Sequence, residues 1–218
     1  FILGYMSRCR KVVKELIKKY DFFPREIIAQ AGLRYGICPF ELSLDLALSC
    51  DLIICDYNYI FDPRVYLRRF FEQKGRENYL IMIDEAHNLF DRARGMYSAE
   101  LNARLLLDIS KEIKKDLPSI NKKLVKLRKE LSSLEKEAGK YVFEAGGIKY
   151  NTSGNAPVRL KEPLQEFITE AESWVSGERE DKPYTEKLVN LFFEILHFKN
   201  ILEIYSANYC TLMTGKKT

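Results

Sequence analysis

Apolar residues keep one rhythm up to about residue 50, a second between 51 and 83, and a third beyond 95. In the first stretch Val12, Val13, Leu16, Ile17 and Tyr20 recur at helical spacing. Asp21-Phe22-Phe23-Pro24 breaks that pattern, and Pro24 suits the opening of the next helix. After Gly36, Cys38-Pro39 begins a helix carrying Leu42, Leu44, Leu46, Ala47 and Leu48. The second stretch holds two short apolar runs, Leu52 to Cys55 and Tyr79 to Ile83, each predicted to be a buried strand. Residues 63–73 (PRVYLRRFFEQ) between them predict a helix opened by Pro63. Strand, helix and strand within about thirty residues make a βαβ unit, so the two strands are predicted to be parallel.

Beyond residue 95 the pattern changes character. Ile120, Leu124, Leu127, Leu131, Leu134, Ala138 and Tyr141 alternate spacings of four and three, a narrow seam on one long helix of about three heptads. Gly146 to Pro157 reads as a polar loop. Helices around Glu162–Val175 and Tyr184–Ala207 follow, and Tyr209 to Met213 is the one further strand candidate. Because helical partners follow in the same chain, an antiparallel bundle is expected, with a dimeric coiled coil as the alternative. The predicted core is Leu124, Leu127, Leu131, Leu134, Trp174, Leu191, Phe192, Leu196 and Phe198. The fold class is thus an α/β slice with a parallel βαβ, followed by a mainly α-helical unit, helix-dominated overall.

Composition narrows the function classes only a little. Of the 218 residues, 46% are hydrophobic and 30% charged, the values of an ordinary globular chain. No apolar run approaches the roughly 18 residues of a membrane span, so no membrane role is expected. FILGYMSRCRK at the start lacks the pattern of a signal peptide. The net charge of +4 says little about partners. Five cysteines at irregular spacing, without C-x-x-C, argue for a reducing, cytoplasmic setting rather than a disulfide scaffold. The lysines and glutamates of the long helix (Lys122, Lys123, Lys126, Arg128, Lys129 against Glu130, Glu135, Glu137) read as a solvated face. His197, between Leu196 and Phe198, reads as a packed or surface histidine rather than a metal ligand.

The segment richest in chemistry is YLIMIDEAHNLFD, residues 79–91. An apolar run ending in two adjacent carboxylates is poorly explained by packing, because buried strands avoid charge. It suits nucleotide hydrolysis well. At the carboxyl edge of a parallel sheet Asp84 can hold Mg²⁺ through water, and Glu85 can orient and deprotonate the attacking water. His87 stands close enough to sense the γ-phosphate. The plain alternative is a helix start at which Asp84 is only a cap. No G-x-x-x-x-G-K-[ST] phosphate loop occurs in these residues, and Gly146-Gly147 is not placed as one. The chain therefore reads as part of a longer enzyme, inactive toward ATP by itself.

Three stretches in order, Cys38-Pro39-Phe40-Glu41-Leu42-Ser43-Leu44, Cys55-Asp56-Tyr57-Asn58-Tyr59-Ile60-Phe61-Asp62-Pro63 and Asp84-Glu85-Ala86-His87-Asn88, resemble the XPD-like and DinG-like (Rad3-related) iron–sulfur DNA helicases of superfamily 2. The likeness is specific over residues 36–95 and closest to the bacterial DinG-like branch. It implies that residues 1–40 end an iron–sulfur domain. Residues 41–95 would then be part of the first motor domain with its DEAH motif, and 96–218 a helical arch. It implies ATP and Mg²⁺ as cofactors, and Cys38 as one of four thiolates on a [4Fe–4S] cluster whose other ligands lie outside the chain; an inert cysteine is the competing view. It also places Tyr57, Asn58 and Tyr59 on the path of single-stranded DNA, where aromatic faces stack on bases. Phe40 and Arg64, with Arg68 and Arg69, would line the same path. For Tyr57 and Tyr59, packing beneath the helix begun at Pro63 is an equal alternative. The expected function is ATP-dependent, 5′-to-3′ unwinding of forked DNA by a nucleoid-associated monomer. A protein-docking role for the arch in a translocase or nuclease-linked relative is the alternative.

Overall fold

The computed structural model of the chain describes residues 4–71, 79–137, 143–145, 148–178 and 180–214. It divides into two compact units, Phe1–Phe61 with Val65–Ile83, and Asp62–Arg64 with Asp84–Thr218. Helices dominate both, as the apolar spacing predicts.

The first unit is built on α1 (Tyr5–Lys19), α2 (Arg25–Tyr35) and α3 (Pro39–Ala47), followed by single turns α4 (Asn58–Phe61) and α5 (Arg68–Phe71). Cys9, Val12 and Leu16 form the buried stripe of α1 and pack with Ala31, Ile37, Leu42 and Leu46. Helix α2 stops at Gly36, whose φ of 62° favours glycine. Gly32 permits the close approach of the next segment. A Cβ there would sit 2.7 Å from Pro39 Cγ and 2.8 Å from the Ile37 carbonyl oxygen.

Two predictions for this unit are corrected. Residues 52–56 and 79–83 form no strand, and the sheet found among the described residues lies elsewhere and is antiparallel, so the parallel βαβ pair is not formed. Leu52, Ile54, Leu80 and Met82 are between 69% and 89% exposed. Apolar composition marks these runs for burial, but a strand forms only where a neighbour supplies its ladder, and two strands alone are marginal. The helix predicted over 63–73 is also shorter. Pro63, Arg64 and Val65 form a turn, helix appears only at Arg68–Phe71, and Glu72 and Gln73 lie outside the described residues. The Asp62 carboxylate accepts the Arg64 backbone N–H at 2.9 Å, which closes a local turn in place of a helix start.

The second unit begins with a 3₁₀ turn, Ala86–Asn88, running into α6 (Leu89–Met96). Then come α7 (Ala103–Ile113), α8 (Pro118–Glu137), strands β1 (Phe143–Ala145) and β2 (Ile148–Ser153), α9 (Lys161–Ser176), α10 (Thr185–Glu203) and β3 (Thr211–Thr214). The cross-helix pairs Ser119–Glu170, Lys123–Glu166 and Lys126–Glu162 run in opposite order along α8 and α9, so these helices are antiparallel. Leu106, Ile109 and Ile113 of α7, Ile120, Leu124 and Leu127 of α8, Leu164 and Phe167 of α9, and Leu188, Leu191 and Ile195 of α10 make one core. Each such side chain, fully buried, contributes about 1.5–3 kcal/mol.

Of the predicted core, Leu124, Leu127, Leu191 and Phe192 are buried, whereas Leu131, Leu134, Trp174, Leu196 and Phe198 pack against it half-covered. The seam fades toward the end of α8, and its last two members, Ala138 and Tyr141, lie outside the described residues. Helix α7 was not predicted, although Leu106, Ile109 and Ile113 have helical spacing and Asn102 caps it, accepting the N–H groups of Arg104 and Leu105. Part of the expected polar loop is a strand instead. β2 pairs antiparallel with β1 and, through Tyr150–Ser153, with β3, the strand that was anticipated. No helix among the described residues is long and apolar enough to cross a membrane.

Candidate ATP-hydrolysis and strand-contact residues

Asp84 and Glu85 occupy a turn directly after the apolar run 79–83, which has no regular secondary structure, and before the 3₁₀ turn. They follow an apolar segment and precede a helix, but not at the carboxyl edge of a parallel sheet as expected, because residues 79–83 form no strand. Glu85 has φ 49° and ψ 39°, and it is the one non-glycine residue with positive φ among the described residues. Backbone held in this region costs roughly 1–3 kcal/mol and is found at functional sites more than elsewhere.

The carboxylates are not consumed by helix capping. Asp84 Oδ1 accepts only the adjacent Glu85 N–H, at 2.9 Å, and neither Glu85 nor Asn88 makes a side-chain cap. Asp84, Glu85 and His87 are exposed, and His87 Nδ1 lies 3.4 Å from Glu85 Oε2. An acidic pair with open oxygens fits a hydrated Mg²⁺, and the imidazole stands beside the candidate base.

The strand-contact candidates belong to the first unit, apart from Arg64. Asp56 shapes the segment: its Oδ1 accepts the Asn58 N–H at 2.9 Å, and its carbonyl accepts the Tyr59 N–H at 3.1 Å. Tyr57, Asn58 and Tyr59 are half-buried, with Asn58 and Tyr59 in α4. The Phe40 ring comes to 6.2 Å from the Tyr59 ring, so two of the predicted aromatic residues share one surface. Arg69 is held by Glu41 at 3.0 Å and Asp45 at 3.2 Å, which ties α5 to α3 and weakens its candidacy as a phosphate contact. Arg64 packs with the second unit instead, clasped by Asp62.

Cys38 is exposed at the start of α3, and its backbone N–H donates to the Tyr5 hydroxyl at 3.2 Å. Its position fits a metal ligand, yet Cys9 is sealed in the core at 2% exposure. Among the described residues no group of three or more His, Cys, Asp or Glu could hold a metal ion, so Cys38 can supply one ligand and not the set of four. His197 Nε2 lies 3.0 Å from the Ser98 carbonyl oxygen, which makes it a packed histidine.

Sequence reasoning missed Asp62, one of the few buried charged residues, at 3% exposure. Its Oδ2 lies 2.6 Å from Arg64 Nη2 and its Oδ1 2.9 Å from Arg64 Nε. That bond to Arg64 is the main reason its carboxyl titrates below the usual range. The signal was present as an Asp-Pro dipeptide followed by arginine.

Residues 5–106 match the DEAD_2 family. The chain is 32% identical over 103 residues to the regulator of telomere elongation helicase 1 homolog of Caenorhabditis briggsae, covering 47% of this chain and 10% of that one. It is 30% identical over 89 residues to the Fanconi anemia group J protein homolog of Gallus gallus (38% and 7%). Against the general transcription and DNA repair factor IIH helicase subunit XPD of Dictyostelium discoideum it is 28% identical over 90 residues (41% and 11%). No solved structure matches. Residues 5–106 are thus similar to the DEAD_2 family and to these helicases, and the chain spans only about a tenth of those relatives' length.

Proposed function

We propose that the chain is part of an ATP-dependent DNA helicase of the iron–sulfur type that moves 5′ to 3′ on single-stranded DNA and parts forked duplexes. The observation that supports it most is the turn at Asp84-Glu85, where two uncommitted carboxylates follow an apolar run inside the family match. Bound Mg²⁺·ATP supplies the phosphoryl group to be transferred. Asp84 holds the hydrated Mg²⁺, Glu85 orients the attacking water and takes its proton, and His87 senses the γ-phosphate. The phosphate-cradling loop and the second motor lobe come from other parts of the longer protein.

In the same proposal residues 1–40 close an iron–sulfur domain with Cys38 as one cluster ligand, 41–95 belong to the first motor domain, and 96–218 form the arch. Tyr57, Asn58, Tyr59 and Phe40 offer stacking and polar contacts to the strand, and the name of the Dictyostelium discoideum relative, a DNA repair factor helicase subunit, favours DNA as its substrate. The arch closes the hole through which one strand passes. The test is unwinding by the longer protein of forks with a 5′ or a 3′ single-stranded tail. ATP-dependent separation that needs the 5′ tail is expected; separation that needs the 3′ tail, or none, refutes the proposal. Removing 96–218 should impair separation more than strand-stimulated ATP hydrolysis, and an equal loss of both refutes the gate.

A further inference from the structure

Helix α8 carries its cations on two different faces. On the face toward α9 they are engaged: Lys123 lies 3.2 Å from Glu166, and Lys126 lies 2.7 Å from Glu166 and 3.0 Å from Glu162. On the side of the helix opposite the buried Ile120, Leu124 and Leu127 stand Lys122, Lys129 and Lys136, all exposed. They recur every seven residues, so they form one ridge, with neighbours about 10 Å apart and ends about 21 Å apart.

No carboxylate on the helix is set to neutralise them. A helix brings alongside one another residues three and four positions apart. For Lys122 and Lys129 these are Pro118, Ser119, Val125, Lys126, Ser132 and Ser133, and Ser132 and Ser133 precede Lys136 at the same spacing. The carboxylate next to Lys129 in sequence, Glu130, is drawn away to Arg159 at 3.3 Å. Among the described residues no ion pair or hydrogen bond engages any of the three lysines. Elsewhere in the same unit cations are matched at that spacing, Arg104 and Lys111 by Asp108 and Lys199 by Glu203. Like charges about a Debye length apart repel one another modestly and gather counterions, which a polyanion releases on binding.

We propose that the ridge Lys122–Lys129–Lys136 binds the phosphate backbone of a nucleic-acid duplex, whatever its sequence. Its length matches about six base pairs at 3.4 Å each. A lysine ammonium meets phosphate as a point charge and reads no base. The ridge carries no aromatic residue, so it offers nothing for bases to stack on, and a single strand gains little there. It shares no residue with the candidate hydrolysis turn or with the strand-contact segment. The choice of DNA as the duplex rests on the proposed function.

The test is fluorescence anisotropy of a labelled DNA duplex of about 20 base pairs, room for more than one ridge length, with the full 218-residue chain, without nucleotide, over a range of salt. Changing all three lysines to glutamine should weaken binding at least ~10-fold at low salt and flatten the slope of log K against log salt by about 2 to 3, since each phosphate contact contributes about 0.9. Changing them to arginine should preserve binding. The control removes the same charge from paired lysines, as Lys111→Gln, Lys187→Gln and Lys199→Gln together, and should keep most of the affinity. Equal loss in the two glutamine triples reduces the effect to net charge and overturns the ridge. So does absence of duplex binding by wild type, or tighter binding of oligothymidylate or of polyglutamate than of the duplex. Trp174 fluorescence in urea checks folding. A shifted midpoint moves the comparison to Lys129→Gln alone, where a slope lower by about 1 supports the ridge and an unchanged slope overturns it. Because no nucleotide is present, failure here leaves the ATP-hydrolysis reading standing, and failure of the 5′-tail requirement in unwinding leaves the ridge standing.

Discussion

The seam on α8 is buried unevenly, and that gradient makes a quantitative test. Leu124 is 0% exposed in the core shared by α7, α8 and α9, whereas Leu134, two turns or more further on, is only half-covered. Sequence spacing gives the two leucines equal standing. Truncating Leu124 to alanine removes apolar surface that no solvent can reach and leaves a cavity, a loss of about 3 kcal/mol. The same change at Leu134 forfeits part of a contact with no sealed cavity, about 1 kcal/mol. The single tryptophan, Trp174, packs against this same core, so its fluorescence reports the helical unit and not the first unit. With a urea slope of about 2 kcal/mol/M, the midpoints should fall by about 1.5 M for Leu124→Ala and about 0.5 M for Leu134→Ala. Equal shifts, or a larger one for Leu134→Ala, would refute the packing described for α8.

Two further outcomes follow from local electrostatics and capping. Lys126 first, then Lys123, hold the Glu166 carboxyl down to about 2. Its pairing therefore stabilises the folded unit above the ordinary carboxylate range and is lost as pH falls through about 2. Glu166→Gln should melt below wild type near neutral pH and converge with it on approach to that value; a deficit independent of pH contradicts the ion pair. Asn102→Ala should cost about 1 kcal/mol in the Trp174-reported transition, with Asn102→Ser close to wild type, since a cap needs only the side-chain oxygen.

The helices were legible in the sequence because an amphipathic stripe is a local property. Val12 and Leu16, or Leu124 and Leu127, announce a buried face whatever covers it. Pairing is not local. The runs Leu52–Cys55 and Tyr79–Ile83 have strand composition, yet nothing in them names the neighbour that would complete a ladder, and in the structure they remain largely exposed. The opposite error occurred at Ile148–Ser153, where polar residues hid a strand that exists because β1 and β3 flank it. Among the candidate site residues, Asp84, Glu85 and His87 stand out in the sequence itself, since adjacent carboxylates after an apolar run have few structural uses. The left-handed backbone at Glu85 and the Asp62–Arg64 clasp could not, because each depends on how the turn closes.

Glu85 is proposed as the base for ATP hydrolysis, and Glu85→Gln in the longer protein checks that role. The amide keeps the size of the side chain and removes its capacity to take a proton. Single-turnover hydrolysis should slow by at least ~10²-fold while nucleotide affinity stays near that of wild type. Near-normal turnover in that variant rules out Glu85 as the base.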